Sequence, residues 1–187
     1  MSARVTFEEA VAKLCAHPKW SWSARWWRLG ELIVATRDKA WSVKDPAKLV
    51  PVGVTALGCT GIDQAGRLAW IFWDLDVSHG APITLSDGEK VQPYATVEEA
   101  IADARRLRKA LDGHAEIRFS KSGNGVHVRY FVGAERNLPG HTGPEIAKTF
   151  ARKLKLKADR SPLGRQAAWL WARTLPPRAF ELIEDCA

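Results

Sequence analysis

The stretch Trp70-Ile71-Phe72-Trp73-Asp74-Leu75-Asp76 decides how the rest of the chain is read. Five of its first six residues are apolar or aromatic, and its two carboxylates stand two residues apart. So short and aromatic a run, set between the turn at Gly66 and Ser78-His79-Gly80-Ala81-Pro82, predicts a buried strand. Side chains alternate along a strand, so Asp74 and Asp76 share a face with Cα atoms roughly 6.6 Å apart. Two like charges at the end of an apolar strand repel each other and lose hydration. A divalent cation removes the conflict, and oxygen donors suit Mg²⁺ or Mn²⁺. Taken alone, an Asp-x-Asp pair also reads as a strand cap beside a solvated acid.

Downstream, Thr96-Val97-Glu98-Glu99 has the form of a capping box. It opens a helix whose apolar face is Val97, Ile101, Ala104, Leu107 and Leu111 and which ends near Asp112-Gly113. The other face carries Arg105, Arg106, Arg108 and Lys109, a charge run of the kind that usually faces solvent. Residues Ala115–Ser120 and Val126–Val132 alternate as strands, and Lys121-Ser122-Gly123-Asn124-Gly125 joins them into a hairpin. Thr142-Gly143-Pro144-Glu145 is a further capping box, opening a helix through about Leu156. Asp159 follows just past its end, and Ala168–Arg173 reads as a last core strand.

From residue 68 the order is therefore β-α-β-β-α-β, an α+β class with the ferredoxin-like or RRM-like sandwich as its expected form. The expected sheet order is four-one-three-two, with the first two strands running up and the last two down. In that topology Asp74, Asp76, the Ser120–Gly125 turn, His127 and Asp159 gather at one edge. Residues 1–65 read as an N-terminal α/β lobe, and residues 66–187 as the RRM-like core packed against it. The lobe begins with a helix over about 7–16 and includes short strands at Glu31–Thr36 and Val52–Leu57. Between them, Lys19-Trp20-Ser21-Trp22-Ser23-Ala24-Arg25-Trp26-Trp27-Arg28 interleaves cations with aromatic rings. Such a pattern suits either stacking on unpaired bases or packing between lobes.

Composition bounds the reading. With 46% apolar and 26% charged residues, the 187-residue chain is ordinary for a globular protein, and a net charge of +7 favours a polyanionic partner. Nine tryptophans are unusually many for this length. No apolar run is long enough to span a membrane. Residues 1–9 lack the apolar core of a signal peptide, so a reducing cytoplasm is the expected compartment. Cys15, Cys59 and Cys186 are odd in number and far apart, which argues against a disulfide framework and a cysteine zinc site.

The turn Ser120-Lys121-Ser122-Gly123-Asn124-Gly125, with His127 two residues on, suits an anion-binding loop. Glycines permit close approach, while backbone N–H groups, serine hydroxyls, Lys121 and His127 offer donors or charge. A plain Asn-Gly hairpin is the bland alternative. Three carboxylates and an anion-binding turn on one edge meet the needs of two-metal phosphoryl or nucleotidyl transfer. Asp74, Asp76 and Asp159 would bridge the cations, and the turn with His127 would hold the β- and γ-phosphates.

At these residues the chain resembles the archaeo-eukaryotic primase superfamily. Asp74-Leu75-Asp76 after an apolar strand, then Ser120-x-Ser122-Gly123-x-Gly125-x-His127 in a hairpin, is similar to that family's first two signatures. The resemblance covers roughly residues 66–175. It implies an RRM-like catalytic core, two Mg²⁺ or Mn²⁺ ions, and template-directed synthesis of a primer or short strand from ribo- or deoxyribonucleoside triphosphates. The expected partners are a single-stranded DNA template and a primer strand. Ala158-Asp159 is the best match to the third signature, with Glu181 and Asp185 as competing acids. By the same resemblance Arg160 and Arg165 contact phosphate or template. The chain departs from many members in lacking a zinc-binding element and a Walker-type phosphate loop, which reads as a minimal catalytic domain, either excised from a larger replication protein or working with a separate helicase or replication protein. Two other readings use the same residues: a non-catalytic RRM-like nucleic-acid-binding module, and a metal-dependent nuclease.

Overall fold

Trp70–Leu75 forms a strand with every residue but Asp74 buried, and the chain builds outward from it. The computed structural model describes residues 23–29, 32–35, 54–61, 66–78, 82–84, 88–120, 122–132, 136–158, 168–172 and 178–185. In chain order the strands are β1 (Ser23–Leu29), β2 (Leu32–Ala35), β3 (Val54–Thr60), β4 (Trp70–Leu75), β5 (Ile83–Thr84), β6 (Lys90–Val91), β7 (Ala115–Phe119), β8 (Val126–Phe131), β9 (Ala168–Ala172) and β10 (Leu182–Glu184). The helices are α1 (Val97–Ala110) and α2 (Gly143–Leu154), the latter entered through a 3₁₀ turn at Gly140–Thr142. Two antiparallel four-stranded sheets result, ordered β2-β1-β3-β9 and β10-β7-β8-β4, beside the small β5-β6 ribbon. No described helix is long and apolar enough to cross a membrane.

The second sheet buries its helix-facing side. Ile71, Trp73 and Leu75 of β4 join Val126, Val128 and Tyr130 of β8 and Ala115 and Ile117 of β7 in one core. Small residues at helical spacing, Ala100 and Ala104 of α1 with Ala147 and Ala151 of α2, belong to the same core and let the helix axes come close to the sheet. Trp73 resolves its one polar atom by donating Nε1–H to the Ala147 carbonyl at 3.1 Å, as a buried indole must. The start of α1 is capped as its sequence predicts: Glu99 N–H donates to Thr96 Oγ1 at 3.2 Å, and Glu99 Oε2 accepts from Ala95 N–H at 3.1 Å. Thr142 does not cap α2. Its backbone is already helical, and its hydroxyl donates to the Pro139 carbonyl within the 3₁₀ turn.

The expected sheet order is corrected on one strand. Strands one, three and two are neighbours as β4, β8 and β7, each antiparallel to the next. The fourth, Ala168–Ala172, instead pairs with β3 in the other sheet, and β10 takes the far edge beside β7. The outer edge of β4 is met by Gly61, whose carbonyl accepts from the Ala69 and Trp70 amides at 2.8 and 3.3 Å. A near-continuous apolar strand such as Ala-Trp-Leu-Trp-Ala fits any buried edge, so its own sequence does not choose between the two sheets. The α+β class stands; the four-one-three-two RRM-like order does not describe this sheet. The N-terminal helix expected over 7–16 lies outside the described residues, whereas the strands expected at 31–36 and 52–57 appear as β2 and β3.

Candidate active site

On the face of β4 turned away from the helices, side chains line up in rows across the sheet. Asp74 is opposite His127, and His127 is opposite Arg118. One step along the strands, Phe72 is opposite Arg129, and Arg129 is opposite Glu116. Alternation in Val-His-Val-Arg and Glu-Ile-Arg produces these rows, since residues two apart share a face.

His127 is the centre of the first row. Its Nε2 stands 3.5 Å from Asp74 Oδ1, too long for a strong hydrogen bond. Its Nδ1 is buried with no hydrogen-bond partner among the described residues. The Phe72 ring meets the imidazole edge-on at 4.7 Å, and Phe180 tilts against it at 6.2 Å. Burial, and then the positive charge of Arg129, pushes the His127 pKa down to about 3. Asp74 favours the imidazolium, but desolvation outweighs it, so the ring is neutral at physiological pH. A neutral imidazole carries one N–H donor and one acceptor nitrogen and no fixed positive charge.

Glu116, at the end of the second row, draws in two arginines, so one carboxylate faces two guanidinium groups. Glu116 takes Arg118 bidentately, Nε to Oε1 at 2.8 Å and Nη2 to Oε2 at 2.9 Å, and Arg129 Nη1 reaches Oε1 at 3.3 Å. Glu116 and Arg129 are almost fully buried. Sequence reading passed over Glu116, Arg118 and Arg129, although opposite charges at alternating positions of two paired strands were the available signal.

The turn closes on itself before it reaches anything else. Ser120 N–H donates to the Gly125 carbonyl at 2.8 Å, and Gly123 N–H donates to the Ser120 carbonyl at 3.0 Å. Gly125 N–H donates to Ser120 Oγ at 3.0 Å and Asn124 N–H to Ser122 Oγ at 3.2 Å, while the two hydroxyls lie 2.9 Å apart. The amides of Gly123, Asn124 and Gly125 are thus turned inward. Each hydroxyl already accepts one N–H, and a single proton suffices for the bond between them. One hydroxyl proton is left over, and Ser122 is the exposed member of the pair. Gly123 adopts φ +73°, which requires glycine for an unstrained turn.

Asp76 lies one residue beyond β4 and is exposed, while Asp74 keeps 28% of its side chain accessible. Lys121, Asp159, Arg160 and Arg165 lie outside the described residues. Of the competing acids, Glu181 is half-buried, and its carbonyl accepts from Phe119 N–H at 3.0 Å. Asp185 follows β10, where its carbonyl accepts from Arg108. β10 is three strands from β4, or roughly 14 Å at normal strand spacing, which sets Asp185 well away from Asp74. The basic face of α1 is structural: Arg105 pairs with Glu184 at 2.6 Å, and Arg106 Nη2 and Arg108 Nε donate to the carbonyls of Leu154 and Ala115.

Among the described residues no group of three or more His, Cys, Asp or Glu side chains is placed to hold a metal ion. Asp74 and Asp76 supply two accessible carboxylates, and that donor set fits Mg²⁺, which keeps several waters and is often held by one or two carboxylates plus substrate phosphates.

No family model matches the chain, and no curated protein matches it. Among solved structures it is similar to the polymerase domain from Mycobacterium tuberculosis Ligase D in complex with DNA, at 16% identity and a TM-score of 0.48. The match covers 84% of this chain and 59% of that one, so this chain spans less than two thirds of its length.

Proposed function

We propose that the chain is a metal-dependent nucleotidyltransferase of the primase-polymerase kind, joining nucleoside triphosphates on a single-stranded DNA template. The observation that carries this reading is the approach of the serine-glycine turn and His127 to the end of the Asp-x-Asp strand. Asp74 and His127 face each other across β4 and β8. The turn is pressed so closely on the strand that a β-carbon at Gly125 would lie 3.0 Å from the Leu75 carbonyl oxygen.

Asp74 and Asp76, with Asp159 as the third acid of the motif resemblance, would hold the divalent cations. When bound, these supply activation of a 3′-hydroxyl and neutralisation of charge developing at the α-phosphate. The remaining work falls to the protein's own groups. The exposed Ser122 hydroxyl would hydrogen-bond a phosphate oxygen, and Lys121, Arg160 and Arg165 would neutralise phosphate or template. His127, neutral and wedged between Phe72 and Phe180, orients the Asp74 carboxylate and offers hydrogen bonding without adding charge.

The direct test is a synthesis assay on single-stranded DNA, with ribo- and deoxyribonucleotides and with Mg²⁺ and Mn²⁺ offered separately. Metal-dependent extension or de novo products are expected. Shortening of a labelled strand, without nucleotide incorporation, would instead identify a nuclease.

A further inference from the structure

Asp76 is the acid of the pair that the sheet ladder does not reach. The β4–β8 register ends at Leu75 opposite Val126, one residue before it. Its main chain is held by a separate contact: Tyr94 N–H donates to the Asp76 carbonyl at 3.0 Å, and Ser78 N–H donates to the Tyr94 carbonyl at 3.1 Å. These bonds flank the parallel bridge between Val77 and Tyr94.

Tyr94 is itself immobilised. Its side chain is 2% exposed and belongs to the helix-side core. Its hydroxyl donates to Asp103 Oδ2 of α1 at 2.9 Å and accepts the Lys157 N–H, just past α2, at 3.1 Å. Lys157 Nζ lies 5.4 Å from the ring centre. Burial, then the hydrogen bond and charge of Asp103, push the phenol above the ordinary tyrosine range, so it stays protonated and keeps its donor.

We propose that Tyr94 is a positioning residue for Asp76, tying the second carboxylate of the Asp-x-Asp pair to α1 and to the segment that leaves α2. The inference rests on reading Asp74 and Asp76 as cation ligands. A residue beyond the end of a ladder has soft backbone torsions, while a ligand carboxylate must be held within about 0.5 Å. Two main-chain bonds to a residue pinned at its other end by α1 and by the segment just past α2 meet that need. Removing such a support typically costs about 10–100-fold in metal affinity.

The test is Mn²⁺ titration of the full chain, with free Mn²⁺ read by electron paramagnetic resonance well below the melting temperature. Wild type is expected to bind, and Asp76→Ala to lose binding. Tyr94→Phe, which keeps the ring and deletes only the hydroxyl, is expected to bind about tenfold more weakly. Its kcat should fall at limiting Mn²⁺ and recover at saturating Mn²⁺, with the nucleotide KM nearly unchanged, a pattern that general loosening of the core does not give. Wild-type Mn²⁺ affinity in Tyr94→Phe, with binding lost in Asp76→Ala, overturns the role of Tyr94 and leaves the proposed site standing. Absence of Mn²⁺ binding by wild type overturns both. If Tyr94→Phe does not fold, Asp103→Ala cuts the tie to α1 while keeping the hydroxyl. Weakened binding there supports the inference, and unchanged affinity overturns it.

Discussion

Gly125 and Leu75 are in backbone contact: a β-carbon on Gly125 would lie 3.0 Å from the Leu75 carbonyl oxygen and 3.1 Å from Ser120 Oγ. The absence of a side chain is what lets the turn rest on the exit of the carboxylate strand. Gly125→Ala is expected to cost roughly 1–3 kcal/mol and to move the turn outward. Denaturant unfolding reads the stability loss, and the proposed nucleotide site should show a raised KM. Gly61→Ala is the harsher change, because its β-carbon would stand 2.3 Å from the Trp70 carbonyl oxygen, where only backbone can give way. Its melting temperature should fall further than that of Gly125→Ala.

Asp74→Ala and Asp76→Ala separate chemistry from folding. Neither carboxylate is part of the apolar core, so both variants should melt within a few degrees of wild type. Metal-dependent nucleotide incorporation is expected to fall at least about a hundredfold, the scale of losing one electrostatic stabiliser of a transition state. Normal incorporation by either folded variant would refute the assignment of the acids.

The two serines of the turn should respond differently. Ser120 is buried and accepts the Gly125 amide, so Ser120→Ala should lower stability by about 1–2 kcal/mol. Ser122 is the exposed member of the pair, so Ser122→Ala should leave the melting temperature almost unchanged and raise the nucleotide KM severalfold. Steady-state kinetics and thermal melting of the pair decide it.

Burial of neutral His127 makes the metal-free protein sensitive to acid. Its pKa is near 6.5 in an unfolded chain and about 3 in the folded one. Between those values the unfolded state binds a proton that the native state refuses, so stability falls as pH drops from about 6.5 toward 3. Above 6.5 this contribution is complete and flat. Denaturant melts from pH 7 to 4 should show a loss on the order of a few kcal/mol. His127→Asn should have a shallower slope over the same window.

Glu116→Ala should be far more damaging than loss of an exposed acid. It removes the buried carboxylate that both the Arg118 and Arg129 guanidinium groups hold, an expected cost of about 3–5 kcal/mol. That is a large fraction of the stability of a small domain. Chemical denaturation of Glu116→Ala beside Asp74→Ala tests the ranking.

Much of the local structure was legible in the chain. The aromatic run at Trp70–Leu75, the Thr96–Glu99 cap and the alternation on both sides of the Ser120–Gly125 turn each gave an element within a residue or two of its observed bounds. These are short-range effects, set by side-chain period, capping hydrogen bonds and the conformational freedom of glycine, and they act between residues near in sequence. The pairing of Asp74 with His127 followed from them once the hairpin was placed beside the first strand.

What the amino-acid order determined by itself was therefore the main elements of the second sheet and its helices, β4, α1, β7, β8 and α2, and the face of β4 on which Asp74 stands. Tertiary structure alone decided that Ala168–Ala172 pairs with β3, that Glu116 draws two arginines beneath the sheet, and that Tyr94 holds the main chain of Asp76. Strand partners and buried charge clusters depend on which surfaces meet across long stretches of chain. A local pattern of apolar and polar residues is compatible with several such meetings, and packing and desolvation select among them.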